Sequence, residues 1–584
     1  MKKWISLLLV ISLMLAVLTA ASAGSLTPVS SNSDAHTIEC RDYAVYVGSI
    51  DSVTDEMPFY FMDGVDDMPW VETKQLCQLL IIVYSIYYGD QDYDLSYEYK
   101  GSVAEITREN EYTMSIDFAK NTITFSDYNG FLHSSDDTSL LDVLSASGYN
   151  ASGEAELFQR DAQASYDRYG DEMTLDLGEY YISLVFQDGK GYIPLQTVGD
   201  FLLSTQAGLC TYYNGKAVFL ANSDYFADSS TGELTALGEY YYSAAPTKRS
   251  KALAEFGYNE LCLMLDNIYG LKSTHDIESF DQIFWQIGFD EDFQSTNPVT
   301  ADEALLDFID MYLDDLHTEF SLYSWMAGNR EVPDPFGPSD KQFTRQVRRY
   351  DSLREAGMGS DFYKYQEVGD TAYITFDHFE TGSAGDYYAV QSLDELPDDT
   401  IGLMIYAYAQ IYRKNSPIKN VVFDLTNNLG GEVDAALYLL AFVLGDAEIS
   451  IKDTFTGAQS TMVYRADVNL DRMFDSRDTL DDMHIYCLIS PVSFSCGNLV
   501  PAAFKASQMV TLIGRTSGGG SCTVLHMSTA WGTSFEMSGT QLLSFRKNGS
   551  FYSIDQGVEP DIYVDHMEML YDRQALTDFI NGLT

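Results

Sequence analysis

Basic side chains are scarce in this sequence. Its 584 residues include 34 Lys and Arg against 87 Asp and Glu, which gives a formal net charge of −53 at pH 7. Such a chain repels the phosphates of nucleic acids and anionic membrane surfaces, and the charge is interpreted as a solvated surface rather than as an acidic binding function. Hydrophobic residues make up 46% of the chain and aromatic residues 14%, which excludes general disorder. A chain of this length predicts roughly two to four domains.

Cysteine is also sparse, and the cysteines are scattered. The seven are Cys40, Cys77, Cys210, Cys262, Cys487, Cys496 and Cys522. They form no CxxC pair and no metal-type spacing, so the sequence predicts no metal site, no cofactor and no disulfide framework. The odd count leaves at least one thiol free or intermolecular if the others pair.

Only one long hydrophobic run occurs, at the N-terminus. Lys2 and Lys3 precede the apolar stretch Trp4 to Thr19, and Ala21-Ser22-Ala23 supplies small residues for cleavage. This pattern predicts a signal peptide over 1–23 and a secreted or cell-surface bacterial protein. An uncleaved membrane anchor is the alternative, and it would be the only contact with a membrane. The Ser/Asn/Asp-rich segment 24–36 is a predicted linker.

Residues 37–227 alternate polar and apolar side chains, which predicts short antiparallel strands in an α+β region. Two segments share the order strand, turn, proline-containing strand and helix: Met57 to Val83 and Tyr181 to Leu203. This repeat resembles the small module near the N-terminus of copper amine oxidases, although the module does not itself imply copper. Residues 244–324 show helical periodicity.

The C-terminal region, 325–584, alternates buried strands and helices, which predicts a parallel or mixed sheet covered by helices. Ser495 lies between a predicted strand and a predicted helix, where free N–H groups could stabilise an oxyanion. Locally, it could equally be a helix cap. The paired glycines Gly430 and Gly431 follow another buried strand and could let backbone N–H groups approach a ligand, or simply form a turn.

Four motifs in order resemble the C-terminal-processing (tail-specific) serine peptidase family, which includes the catalytic core of tricorn. The motifs are Asp424 to Gly431, Ser493 to Asn498, Gly514 to Gly520 and Gly557 to Asp561. An upstream Asp-x-His-Thr element matches Asp315 to Thr318. The resemblance implies a crotonase/ClpP-like α/β catalytic domain in a multidomain α+β protein, with Ser495 as nucleophile. It also implies an oxyanion hole formed by Gly430, Gly431 and Cys496.

The sequence departs from this family at three positions. Thr426 replaces the usual arginine, Asn498 replaces the usual glutamate, and Gly520 stands where the Ser-Lys branch has its lysine. A glycine cannot act as a base, so the resemblance points to the tricorn-like branch, which uses histidine.

His317 is the matching base, because the pKa of histidine lies near neutrality. His378 is its rival, and a structural cap is the alternative role of His317. Asp555 and Glu559 are the candidates to orient the base.

Too few residues separate Thr318 from Ala372 for the peptide-binding PDZ module that many family members insert there. The sequence therefore predicts a secreted serine-type peptidase that cleaves peptide or protein substrates through an acyl-enzyme. The alternative is a catalytically inactive, peptidase-like surface protein that binds peptide or glycan. The substrate and the oligomeric state are left open.

Overall fold

The computed structural model describes residues 25–26, 35–87, 95–109, 111–132, 157–161, 172–228, 231–360, 362–381, 387–480 and 482–583. The predicted signal peptide and most of the predicted linker lie outside these residues. Within the described ranges, no helix combines the length and apolar character needed to cross a bilayer.

The chain forms short strands in its N-terminal half and longer ones later. The strands of the first 230 residues are Ile38–Tyr43, Val45–Val47, Met57–Met62, Trp70–Glu72, Leu95–Lys100, Val103–Arg108, Tyr112–Asp117, Thr122–Phe125, Phe158–Asp161, Met173–Asp176, Val185–Gln187, Lys190–Pro194, Cys210–Tyr213 and Val218–Ala221. The later strands are Glu319–Leu322, Tyr365–Val368, Thr371–Thr375, Asn420–Asp424, Ala447–Asp453, Gln459–Ala466, His484–Ile489, Val510–Gly514, Cys522–Ser528, Ser534–Lys547, Ser550–Tyr552 and Ile562–Tyr563.

Helices concentrate in the middle and the C-terminal region. The α-helices are Thr73–Tyr87, Tyr128–Leu132, Leu195–Val198, Ser204–Ala207, Ser223–Phe226, Ala236–Tyr241, Lys251–Ile268, Phe280–Ile287, Asp290–Phe293, Pro298–Phe308, Pro338–Met358, Thr400–Ile411, Val433–Leu444, Cys496–Ser507 and Arg573–Asn581.

A six-stranded sheet, hereafter the parallel sheet, organises the C-terminal region. Its strands run in the order Tyr365–Val368, Thr371–Thr375, Asn420–Asp424, His484–Ile489, Val510–Gly514 and Ile562–Tyr563. The last five are parallel, and Tyr365–Val368 pairs antiparallel at one edge. Helices cover both faces, so the apolar side chains of these strands enter two cores. Burial on both faces explains the nearly uninterrupted apolar runs of the sequence.

The two repeated N-terminal segments combine in one antiparallel sheet. Strands Met57–Met62 and Trp70–Glu72 come from the first copy, and Val185–Gln187 and Lys190–Pro194 from the second. The copies meet where Trp70–Glu72 pairs antiparallel with Lys190–Pro194. In each copy a helix follows the proline-containing strand, as the sequence pattern predicts.

A hairpin of the C-terminal region, formed by Cys522–Ser528 and Ser534–Lys547, packs into the N-terminal core. Met527, Phe535 and Met537 lie in the same buried cluster as the N-terminal strands and the helices of 251–308. The segment between Thr318 and Ala372, which the sequence analysis judged too short for a PDZ module, contains one short strand, a loop, one long helix and the edge of the parallel sheet. The hairpin begins just after Gly520 and therefore links the N-terminal core to the loops around Ser495.

Candidate active site

Ser495 lies at the sharp turn between the parallel sheet and the helix Cys496–Ser507. Its backbone has φ +55° and ψ −122°, a conformation that non-glycine residues rarely adopt. Such a conformation costs on the order of 1–3 kcal/mol and persists only when the surroundings impose it. The Ser495 side chain makes no capping hydrogen bond to the helix, so it does not serve as the cap that the local sequence also allowed. Its hydroxyl has no hydrogen-bond partner among the described residues.

Neighbouring loops hold the Ser495 backbone in place. The Ser495 N–H donates to the Gly519 carbonyl at 2.9 Å, and the Gly518 N–H donates to the Ser493 carbonyl at 2.7 Å. On the other side, the Phe494 N–H donates to the Asn428 carbonyl at 3.1 Å. These bonds place Ser495 between the two glycine loops that the sequence analysis singled out.

Gly430 lies directly against the Ser495 side chain. A Cβ atom at position 430 would be 2.6 Å from the Ser495 Cβ and 3.1 Å from its Oγ, and the backbone φ is +105°. Both the close approach and the left-handed conformation require glycine. The Gly430 N–H, however, donates to Asn428 Oδ1 at 3.0 Å, so it is already occupied.

Two other backbone N–H groups at this turn are unoccupied. Neither Gly431 nor Cys496 donates its N–H to any residue that the structure describes. The Cys496 thiol donates to the Gly431 carbonyl at 3.1 Å, which ties the two residues together. The available donors beside Ser495 are therefore those of Gly431 and Cys496.

His317 enters the site from the turn that precedes strand Glu319–Leu322. Its imidazole packs on the Phe494 ring with a centroid separation of 4.7 Å. A Cβ atom at position 520 would be only 3.0 Å from His317 Cε1, so Gly520 leaves room for the imidazole. Burial lowers the pKa of His317 below its usual value, although Asp315 and Asp555 act in the opposite direction.

Two carboxylates lie close enough to His317 to influence its charge. Asp315 is fixed by its own turn, where Thr318 Oγ1 donates to it at 2.6 Å and the His317 N–H at 3.2 Å. Asp555 accepts a hydrogen bond from Ser521 Oγ at 3.2 Å. The sequence analysis named Asp555 but missed Asp315, whose signal was its position two residues before the histidine.

The other two candidates lie elsewhere. Glu559 is exposed, and its contact is through its backbone carbonyl, which accepts a bond from Lys505. His378 is also exposed, and its carbonyl accepts from Thr400 Oγ1 at 3.2 Å. Neither side chain contacts Ser495 or His317 among the described residues.

The residues that depart from the family pattern have structural contacts. Thr426 Oγ1 donates to Asp424 Oδ1 at 2.6 Å, and the other oxygen of Asp424 accepts from buried Arg573 at 2.6 Å. Asn498 donates to the carbonyls of Gly520 at 3.3 Å and Ile554 at 3.0 Å. Arg573 thus supplies the positive charge beside Asp424, and Asn498 braces the loop that carries Gly520.

The part of the chain that the structure describes contains no cluster of side chains suited to bind a metal ion. No group of three or more His, Cys, Asp or Glu side chains is arranged there to hold an ion. All seven cysteines are thiols, and burial raises the pKa of Cys496 to about 12, so this thiol stays protonated beside Ser495.

Comparisons with known proteins show what part of the chain is similar to. Residues 370–564 match the model of peptidase family S41, and no curated protein matches the sequence significantly. Among solved structures, a protein from Parabacteroides merdae proposed to be a peptidase aligns with a TM-score of 0.39 and 15% identity, covering 57% of this chain and 96% of that one. A lipoprotein from Streptococcus agalactiae gives a TM-score of 0.35 and 14% identity, with coverages of 58% and 98%. Mature CPAF aligns with a TM-score of 0.36 and 11% identity, covering 57% of this chain and 96% of that one.

Proposed function

We propose that this protein is a serine peptidase in which Ser495 is the nucleophile and His317 the base. The observation that carries the proposal is the strained backbone of Ser495, whose unbound hydroxyl lies against the Gly430 loop. The preceding residue, Phe494, packs its ring on the half-buried His317. Strained non-glycine residues concentrate at functional sites. A helix N-terminus beside the hydroxyl adds free N–H groups and a positive dipole end.

In the proposed reaction, Ser495 Oγ attacks the carbonyl carbon of a peptide bond while its proton passes to His317. The N–H groups of Gly431 and Cys496 donate to the oxyanion that forms on the substrate oxygen. His317 then gives its proton to the leaving amine, and the C–N bond breaks to leave an acyl-enzyme. Water, deprotonated by His317, hydrolyses the ester and restores the Ser495 hydroxyl.

The surroundings of His317 suit this task. Burial keeps the imidazole neutral near pH 7, which is the form that accepts a proton. The carboxylates of Asp315 and Asp555 then stabilise the imidazolium formed in the reaction. We assign the orienting role to Asp555, because Glu559 is exposed. Hydrogen bonds between nucleophile and base are often longer in unliganded sites and tighten with substrate.

Gly520 supports histidine over lysine as the base. A Cβ atom at position 520 would lie 2.8 Å from the Phe494 ring and 3.0 Å from His317 Cε1, so a lysine there would crowd both rings. We therefore extend the proposal to the tricorn-like, lysine-free branch, with a crotonase/ClpP-like catalytic domain. The N-terminal pattern supports export, and N-terminal sequencing of the exported protein should start near Gly24.

Labelling with a fluorophosphonate probe tests the nucleophile. The wild-type protein should react, Ser495→Ala should not, and Ser550→Ala, which changes an exposed serine on a distant strand, should react like the wild type. Equal labelling of the wild type and Ser495→Ala would show that the nucleophile is another residue. If neither reacts but both bind peptide or glycan without turnover, the inactive binding protein is the correct interpretation.

A further inference from the structure

The helix Pro338–Met358 carries an exposed row of cations. Lys341, Arg345, Arg348 and Arg349 are all exposed, and they are spaced at i, i+4, i+7 and i+8. At 3.6 residues per turn, these positions fall within about 100° of the helix circumference. We call these four residues the basic stripe.

The cations of the basic stripe form no ion pair within 4.0 Å among the described residues, although Lys341 acts on the Asp310 carboxyl and opposes the rise in its pKa that burial causes. Lys341 Nζ donates to the Phe336 carbonyl, and Arg345 Nε donates to the Lys341 carbonyl at 2.8 Å. By contrast, Arg354 on another side of the same helix pairs with Asp377. In a chain with 87 acidic residues and 34 basic ones, a row of unpaired cations is unexpected.

The helix that carries the stripe packs against the candidate active site. Phe343, on the opposite side of the helix from the stripe, contacts the Phe494 ring at a centroid distance of 5.4 Å. Phe494 directly precedes Ser495 and also contacts His317. Because the stripe and Phe343 lie on opposite sides of a helix about 10 Å wide, an extended chain must pass around half its circumference, roughly 16 Å or five residues, to reach the side that meets Phe494.

Arg515 extends the positive charge toward the parallel sheet. Burial raises the pKa of Tyr350, and the guanidinium groups of Arg349 and Arg515 oppose this rise, so both lie near the Tyr350 ring. Arg349 also lies 5.8 Å from the centroid of that ring. Arg515 itself is held by Asp565, to whose carbonyl its Nη2 donates at 3.0 Å.

The geometry points to one occupant: we propose that the basic stripe binds an acidic segment of the polypeptide substrate that lies roughly five residues or more from the bond that Ser495 attacks. This inference rests on the proposed peptidase function and specifies its substrate class. The net charge of −53 repels acidic chains in general, but charges beyond about 8–10 Å are screened at physiological salt. An acidic segment could therefore bind where the cations of the basic stripe lie within this screening distance of it.

The length of the stripe favours a short peptide segment over an extended polyanion. From Lys341 to Arg349 the helix rises about 12 Å, which matches roughly four residues of extended chain. Nucleic acid or an anionic membrane would have to contact the surrounding acidic surface as well. Three or four Asp or Glu residues would fit the stripe alone.

Peptide binding to Ser495→Ala protein tests the inference without any turnover. A fluorescent peptide with four acidic residues should bind at least about tenfold more tightly at low salt than its Asn/Gln counterpart, and the difference should shrink as salt rises. The triple variant Arg345→Glu/Arg348→Glu/Arg349→Glu should abolish this preference.

The matched control is Lys74→Glu/Lys120→Glu/Lys547→Glu, which changes three exposed lysines elsewhere by the same total charge. This control should keep the preference for the acidic peptide. Equal binding of the two peptides, equal losses in both triple variants, or retention of the preference in the arginine variant would overturn the inference.

Two further measurements separate other occupants of the stripe. Stripe-dependent binding of phosphatidylglycerol vesicles without a peptide preference would indicate a membrane surface and overturn the inference. An arginine-dependent change in oligomeric state without a peptide preference would indicate a second copy of this chain. The two proposals can fail separately. Failed fluorophosphonate labelling of the wild type would overturn the peptidase proposal. A preference for the acidic peptide, which is measured in Ser495→Ala, would not be affected by that result.

Discussion

Two carboxyl groups buried against each other make the stability of this protein dependent on pH. Asp200 and Glu260 are 2% and 1% exposed and lie between the second N-terminal repeat and the helix Lys251–Ile268. Thr197 Oγ1 donates to Glu260 at 2.9 Å, and Gln196 Nε2 donates to Asp200 at 2.8 Å. Burial raises the pKa of Glu260 to about 8, and burial with the Glu260 charge raises that of Asp200. Both carboxyl groups therefore favour the protonated form at neutral pH.

The sign of the effect follows from proton linkage. In the unfolded chain Glu260 titrates near 4.5, so between that pH and about 8 the folded protein holds the extra proton. The resulting stabilisation is complete below about pH 4.5 and is lost as the pH rises to about 8. At 1.36 kcal/mol per pH unit, the total is on the order of 5 kcal/mol.

The variant Glu260→Gln removes the proton requirement and retains an acceptor for Thr197. Urea unfolding at about pH 6 and pH 8.5 should show that the wild type loses several kcal/mol over this interval and that Glu260→Gln loses much less. Glu255→Gln, on the more exposed side of the same helix, serves as the control and should follow the wild type. If Glu260→Gln loses as much stability as the wild type, the proton on Glu260 is not the cause.

Three other predictions concern the candidate active site. The variant Gly430→Ala would place a Cβ atom 2.6 Å from the Ser495 Cβ, so its fluorophosphonate labelling should fall at least about tenfold. Gly549 also has a positive φ but has no neighbour within 4 Å, so the control variant Gly549→Ala should label normally. Equal losses in both variants would show that backbone strain alone is the cause. Because burial lowers the pKa of His317, the labelling rate should rise with pH with a midpoint below 6.5, and a midpoint above 7 would contradict His317 as the base. Asn498→Ala removes buried hydrogen bonds to two carbonyls and should lower the unfolding free energy by about 2–4 kcal/mol, so an unchanged urea midpoint would refute its bracing role.

The parallel sheet could be predicted from the sequence because its strands are apolar on both faces. The runs around Val422, Leu488 and Leu512 are buried, and each is followed by a glycine turn or a helix. The N-terminal repeat was visible for a similar reason, since each copy has the same order of strand, proline-containing strand and helix. That the two copies share one sheet could not be predicted, because strand pairing between distant segments leaves no local pattern.

The chemistry around Ser495 was only partly predictable. The motif order located Ser495 and the glycine loop, but whether an N–H is free depends on side chains folded over it. Asn428 occupies the N–H of Gly430, while those of Gly431 and Cys496 stay open. Asp315 and His317 share the tight turn of 314–318, so the Asp-x-His-Thr element already contained both residues, but the motif does not show which carboxylates act on the imidazole.

The three departures from the family pattern bear on whether the site is a functioning one. A decayed scaffold would leave a buried Asp424 without a cation, but Arg573 from the C-terminal helix pairs with it and stacks 4.6 Å from the Tyr373 ring. A lost partner for a buried charge is strongly destabilising, so this replacement preserves the strand that leads to the glycine loop. At position 520, glycine leaves room for the rings of Phe494 and His317, which a Cβ atom there would approach to 2.8 and 3.0 Å. Each of the three positions therefore carries a residue whose contacts support the turn at Ser495, which favours the proposed active site over a decayed scaffold.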